Sequence, residues 1–190
     1  MKRASGSEMW IEAGLNELGR SGIEGVRVEV LAEGLGITKG GFYRRFKDRR
    51  DLLEAMLETW TRGRIAAIEE HGKRGGIDPR NRIHSVIKIY TGRVNPKGMA
   101  IELSIRKWAR SDPVAAAAVA KVDAARLVVA EKIFREMGLS ARKARARAIL
   151  TYSFVFGQSL LLLEQSPQER ANLTAACAEV LMDFSARPDK

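Results

Sequence analysis

Ile37 to Leu53 reads ITKGGFYRRFKDRRDLL. Within it Arg44, Arg45, Lys47, Arg49 and Arg50 crowd into one short run with a single carboxylate, Asp48, among them. Desolvating that much unpaired cation costs more than core packing returns, so the stretch belongs on a surface that meets a polyanion. Gly40 and Gly41 precede the basic run, and Phe42, Tyr43 and Phe46 are interleaved with it.

The flanking residues give this surface a scaffold. Upstream, Val28 to Gly34 is read as a short helix with Val28, Leu31, Ala32 and Leu35 facing inward, broken by Gly36. Thr38 stands where it would N-cap a second short helix through Phe46, and Asp48 where it would cap a long helix from Arg49 to Glu70. An earlier helix, with Met9, Ile11, Ala13, Leu15 and Leu18 as its apolar positions, is expected to end between Gly19 and Gly22. Two short helices about a tight turn, buttressed by a third, form a helix-turn-helix unit whose second helix enters the DNA major groove.

On that second helix Phe42 and Phe46 are four apart and share the buried face, while Tyr43 and Arg44 turn outward. The bare backbone at Gly40 and Gly41 permits close approach to DNA. A tyrosine hydroxyl donates well to phosphate, and the fork of Arg44 suits guanine O6 and N7. Arg45, Lys47 and Arg49 are placed to track phosphates, aided by the positive end of the helix that begins near Arg49.

The remainder also carries the helical apolar period, so the expected fold is all-α. Helices are expected over residues 81–93 and 99–110, separated by a linker at Asn95 to Gly98. Asp112 and Pro113 open a helix to about Met137, Gly138 closes it, Ser140 caps one to about Gln165, and Ser166 with Pro167 opens a last one to about Ser185. The domains are placed at residues 1–47 and 48–190.

Composition narrows the function. Of 190 residues, 45% are hydrophobic, as in a folded chain, and the net charge is +10. The excess is uneven: Lys and Arg number 12 against 12 Asp and Glu over residues 1–70, 10 against 2 over 71–110, and 11 against 9 beyond. Cys177 is the single cysteine, and His71 and His84 have no cysteine nearby, so neither a disulfide nor a metal site is expected. No cofactor is expected. No nucleophile–base pair stands out, and the glycines of HGKRGG at residues 71–76 lack a preceding strand, so the chain is not expected to be an enzyme. It shows neither a signal-peptide core nor a membrane-spanning run, and a cytoplasmic location is expected.

The run VEVLAEGLGITKGGFYRRFKDRRDLLEAML, Val28 to Leu57, resembles the tetracycline-repressor family of bacterial regulators. The likeness rests on the leucine-alanine pair, the glycine four residues later, Ile37, Thr38, Tyr43, Phe46 and the Asp-Leu-Leu at the start of the long helix, and it extends over about Met9 to Leu57. It implies a three-helix DNA-binding domain followed by a larger helical domain that binds an effector and dimerises. It also implies operator contacts from Thr38, Lys39, Gly40, Gly41, Tyr43, Arg44, Arg45 and Arg49. Three positions depart from the family pattern. Val28 replaces a frequent threonine that touches phosphate, Arg45 a frequent histidine or tyrosine, and Arg49 a frequent lysine.

For the effector site the candidates are Trp60, Tyr90, Met99, Leu103, Arg106, Trp108, Leu127 and Phe134, which mix bulky apolar groups with a few polar ones. The basic stretch from Lys73 to Arg110 points to an acidic effector, with Arg106 as its partner or, alternatively, paired with Glu102 one turn away. The last two helices carry more apolar surface than one subunit needs, which places a homodimer interface at Phe156, Leu160, Leu163, Leu173, Val180 and Phe184. The leading functional reading is therefore a dimeric repressor released from a palindromic operator by a small molecule. The alternative is a sequence-tolerant architectural DNA binder without an effector, motivated by the basic excess in the middle of the chain.

Overall fold

Gly36 takes φ 66°, ψ 29°, a left-handed conformation that a side chain would strain. Its N–H donates to Glu33 O and the N–H of Ile37 to Ala32 O, both at 3.0 Å, closing the preceding helix by the two crossed bonds of a Schellman end. A computed structural model describes residues 6–73, 78–91, 95–161 and 164–184. The described residues form helices α1 (Gly6–Ser21), α2 (Val28–Leu35), α3 (Lys39–Tyr43), α4 (Arg49–Gly72), α5 (Pro79–Thr91), α6 (Pro96–Trp108), α7 (Pro113–Glu136), α8 (Ala141–Gly157) and α9 (Pro167–Met182). No strand occurs among the described residues, and no helix among them is long and apolar enough to cross a membrane.

Most boundaries follow the caps expected for them. Asp48 Oδ1 accepts from Asp51 N, and Asp51 Oδ2 from Lys47 N, both at 2.9 Å, so α4 begins in a reciprocal pair. Ser140 caps α8, and Ser166 with Glu169 makes a full capping box at α9. Other boundaries correct the expectation. Helix α3 stops at Tyr43 and the chain reaches Phe46 through turn bonds to Phe42 O, because two glycines weaken so short a helix. Asn95 to Gly98 is no linker beyond Asn95: α6 starts at Pro96, where the fixed φ of proline suits the first turn. Likewise α5 starts at Pro79, with Asp78 Oδ1 accepting from Arg80 N at 2.8 Å, and the expected end at Arg93 lies outside the described residues. Helix α8 ends at Gly157, not Gln165. There Ser159 Oγ donates to Phe156 O and Gln158 Nε2 to Val155 O, competing with the helix ladder.

Packing groups the chain into two units, residues 1–67 with 96–124 and residues 68–95 with 125–190, a different division from the one drawn after Lys47. The reason lies in the first unit. Helix α6 packs along α1, and the fully buried carboxylate of Glu102 draws in Arg64 of α4 at 3.5 Å and Arg106 of α6 at 3.0 Å. Arg106 also grips Asp123 of α7 with both terminal nitrogens. Buried charge persists only when compensated in this way, so three helices are tied by one network that no local pattern announces. On α1 the buried residues are Trp10, Gly14, Glu17 and Leu18, while Met9 is exposed. The inward face is thus rotated from the one expected, and Trp10 is its anchor.

The second unit has its core in Ile83, Ile87, Ile133, Phe134, Val155 and Met182. Arg147 donates to Leu181 O at 2.7 Å and Asp183 O at 2.8 Å, and Arg80 to Met182 O at 3.2 Å, satisfying carbonyls at the end of α9. Buried Arg82 bonds Glu136 and Gly72 O, and its own carbonyl lies 3.0 Å from His71 Nε2. His71 is therefore part of the core's polar scaffold.

Candidate nucleic-acid interface

Helix α3 is seated by its aromatic underside. Phe42 is fully buried, edge-on to Trp10 of α1 at 5.2 Å and stacked on Phe46 at 5.4 Å. One hundred degrees of rotation per residue then turns the next side chain outward: Tyr43 is 62% exposed, and Thr38, Lys39, Gly40, Arg44, Arg45 and Lys47 are exposed with it. Arg44 makes no hydrogen bond or ion pair among the described residues. Its guanidinium is available to an external acceptor.

The two glycines need an explanation from outside the chain. Neither has positive φ, and a Cβ at Gly41 would meet no atom within 4 Å, while one at Gly40 would lie at an ordinary 3.6 Å from Thr38 Oγ1. Nothing in the protein forbids alanine there, although alanine favours helix by about 1 kcal/mol per site. Bare backbone at an exposed helix start is what close contact with a ligand surface requires.

Three residues behave differently from the expectation. Thr38 occupies the N-cap position of α3 but its hydroxyl makes no cap bond. Lys39 pairs with Glu29 of α2 at 2.8 Å, and the ammonium holds the Glu29 carboxyl below its usual range. Arg49 is the main correction. Its Nε donates to Val26 O and its Nη2 to Ile23 O, each at 2.6 Å, so the side chain ties the start of α4 to the turn before α2 and does not reach outward as a free phosphate clamp. Arg50, which entered the reading only as part of the charge count, bonds Glu54 and Asp112. It therefore joins α4 to the cap of α7. Apart from Glu54, one turn from Arg50, the partners of Arg49 and Arg50 lie 23 to 62 positions away, beyond the reach of any local pattern.

The other candidates are distributed as follows. Trp60, Met99, Leu103, Arg106 and Trp108 belong to the first unit, and Tyr90, Leu127 and Phe134 to the second. Arg106 is held by Glu102 and Asp123, which is the alternative pairing considered for it. Trp60 is buried, yet its indole N–H has no hydrogen-bond partner among the described residues, nor does the hydroxyl of Thr61. Tyr90 hydroxyl accepts from the Nε of buried Arg126, whose guanidinium also lies over the rings of Tyr90 and Phe156. Leu160, Leu173 and Val180 are exposed at 74%, 49% and 72%. Phe156 and Phe184 are half-buried against their own core, the first stacked on Tyr152 and the second edge-on to Phe134, and Leu163 lies outside the described residues.

Residues 11–56, which hold α2, α3 and most of α1, match the profile of the bacterial regulatory proteins of the tetR family. Over these residues the chain is similar to the tetR family. The fold is shared with solved structures over nearly the whole length. A TetR transcriptional regulator from Legionella pneumophila superposes with a TM-score of 0.79 at 14% identity, covering 96% of this chain and 100% of that one. The reduced form of NemR from E. coli does so at 0.71 and 14%, covering 96% and 100%. A transcriptional regulator from Aquifex aeolicus gives 0.65 and 20%, covering 93% and 98%. No curated protein matches the chain. The match thus falls on the helix-turn-helix itself.

Proposed function

We propose that the protein is a homodimeric repressor that binds a palindromic operator through α3 and leaves it when a small molecule binds. The observation that carries the proposal is the outward row of Thr38, Lys39, Gly40, Tyr43, Arg44 and Arg45 standing on the buried Trp10–Phe42–Phe46 cluster. Rigid seating of a short reading helix is what base recognition needs, since a misplaced fork loses its bidentate geometry. In this reading Arg44 takes a base edge, Tyr43 and Arg45 take phosphates, and residues 1–47 serve DNA while 48–190 serve effector and partner.

Two half-sites must be met together, about 34–36 Å apart along one face of the duplex. An effector therefore needs only to favour a dimer with mis-spaced reading helices. Helix α4 is the proposed lever. It carries Arg49 at one end and, eleven residues or about 16 Å further along, Trp60, whose buried indole N–H lacks a partner among the described residues. Leu160, Leu173 and Val180 are the proposed contact between subunits because, with Leu161, they add up to a surplus of exposed apolar side chains just after α8 and on α9 that a partner would cover.

Operator variants test the reading. Arg44→Ala is expected to lose about 1–3 kcal/mol per base contact and to flatten the preference at one base pair in each half-site. Uniform loss on matched and mismatched sites reduces Arg44 to a phosphate contact, and continuous footprints in place of a discrete palindrome refute the repressor.

A further inference from the structure

A groove of about 760 Å³ runs between α5 and α9 within the second unit. Its walls are one face of each helix: Asn81, His84, Ser85 and Lys88 recur at three- and four-residue spacing on α5, as do Pro167, Arg170, Ala171, Thr174, Ala175 and Ala178 on α9. Buried Ile87 and Ala178 make its floor. The volume lies in the range of about 300–1,000 Å³ found for small-molecule sites.

The charge in the groove has one sign. Lys88 and Arg170 line it, no carboxylate among the described residues does, and neither cation has an ion-pair partner there. Glu169 sits beside Arg170 in sequence, yet its carboxylate is occupied by the N–H and hydroxyl of Ser166, and that bonding holds it below the usual carboxylate range. Arg80 at the start of α5 bonds Met182 at the end of α9, so the helices run in opposite directions. Lys88 then lies toward the N-terminal half of α9, so both cations border the same groove above an apolar floor.

We infer that this groove binds a small amphipathic anion, with a carboxylate or phosphate at Lys88 and Arg170 and an apolar tail along Ile87, Ala171, Ala175 and Ala178. A second copy of the chain fits poorly, because an isologous contact would set the same two cations against themselves. The opposite face of α9, bearing Leu173 and Val180, is the one left for self-association. The inference builds on the effector reading above by naming the class of effector and a place for it. The basic stretch of residues 71–110 thereby contributes Lys88, and not Arg106, to anion binding.

Calorimetry with the full chain tests it, using decanoate, decan-1-ol and decyltrimethylammonium as probes. Decanoate is expected to bind saturably at one site per chain and at least tenfold more tightly than decyltrimethylammonium. Lys88→Glu with Arg170→Glu, both exposed positions, is expected to weaken decanoate at least tenfold while leaving the thermal midpoint of the free protein unchanged. Ala171→Trp, which fills the groove without touching charge, is expected to abolish binding of decanoate and decan-1-ol alike. Absence of saturable decanoate binding, equal affinity for the cationic probe, insensitivity to both variants, or a changed sedimentation coefficient in the charge-reversed variant each overturns the assignment. Operator release separates this from the earlier reading. Decanoate that binds in the groove without weakening operator affinity refutes the effector role and leaves the site standing, whereas release that survives Ala171→Trp refutes the site.

Discussion

Replacing Arg49 by alanine distinguishes a structural tie from a DNA clamp. The guanidinium gives two hydrogen bonds of 2.6 Å, to Val26 O and Ile23 O, and is only partly buried. A hydrogen bond from a charged donor contributes about 1.5–3 kcal/mol. Water partly replaces the lost donors at a half-exposed site, so the net loss expected for both is about 2–4 kcal/mol, a large share of the roughly 5–15 kcal/mol that holds a domain folded. With a urea m-value of about 2 kcal/mol/M, the unfolding midpoint falls by about 1–2 M. Arg49→Lys keeps the charge but not the fork, and falls between. Operator binding measured across salt, at temperatures where the variant is folded, is expected to keep its slope. A phosphate clamp lost from both subunits would instead lower the slope of log affinity against log salt by about 1.8. An unchanged urea midpoint together with that lower slope would refute the tie.

Phe42→Ala is expected to cost about 3–5 kcal/mol in urea unfolding, since it empties a fully buried site between Trp10 and Phe46; a loss below about 1 kcal/mol would mean that α3 is not anchored there. Asp112 caps α7 by accepting from Val114 N and Ala115 N, and Arg50, followed by the Ala115 N–H, holds its carboxyl below the ordinary value of 3.8. A depressed folded pKa stabilises above the unfolded value and is lost as pH falls through the folded one, so Asp112→Asn, which keeps the cap acceptor, should lower the urea midpoint at neutral pH and match the wild type in strong acid. A constant difference across that range would contradict the ion pair. Leu173→Glu with Val180→Glu is expected to yield a folded monomer by sedimentation, and an unchanged dimer would move the interface elsewhere.

The basic run, the glycine stop at Gly36, the Asp48, Ser140 and Ser166 caps and the outward turn of Tyr43 and Arg44 all lie in local sequence, because each rests on contacts within a turn or two of helix. The buried pair Phe42 and Phe46 is legible for the same reason. The roles of Arg49 and Arg50 are not, since a guanidinium reads as surface charge until the chain brings a distant carbonyl or carboxylate to it, here from 23 to 62 positions away; for Arg106 the pairing with Glu102 one turn back is legible, but the one with Asp123 is not. Apolar composition likewise announced surplus surface on the last helices and named Leu160, Leu173 and Val180 for it, but it named Phe156 and Phe184 as well. Only packing turned Phe156 and Phe184 inward and left Leu160, Leu173 and Val180 in water. The groove between α5 and α9 belongs to the same class: its two faces are periodic in sequence, but their opposition, which sets Lys88 and Arg170 on one groove from nearly half the chain apart, exists only once burial of Ile87 and Ala178 has drawn the helices together.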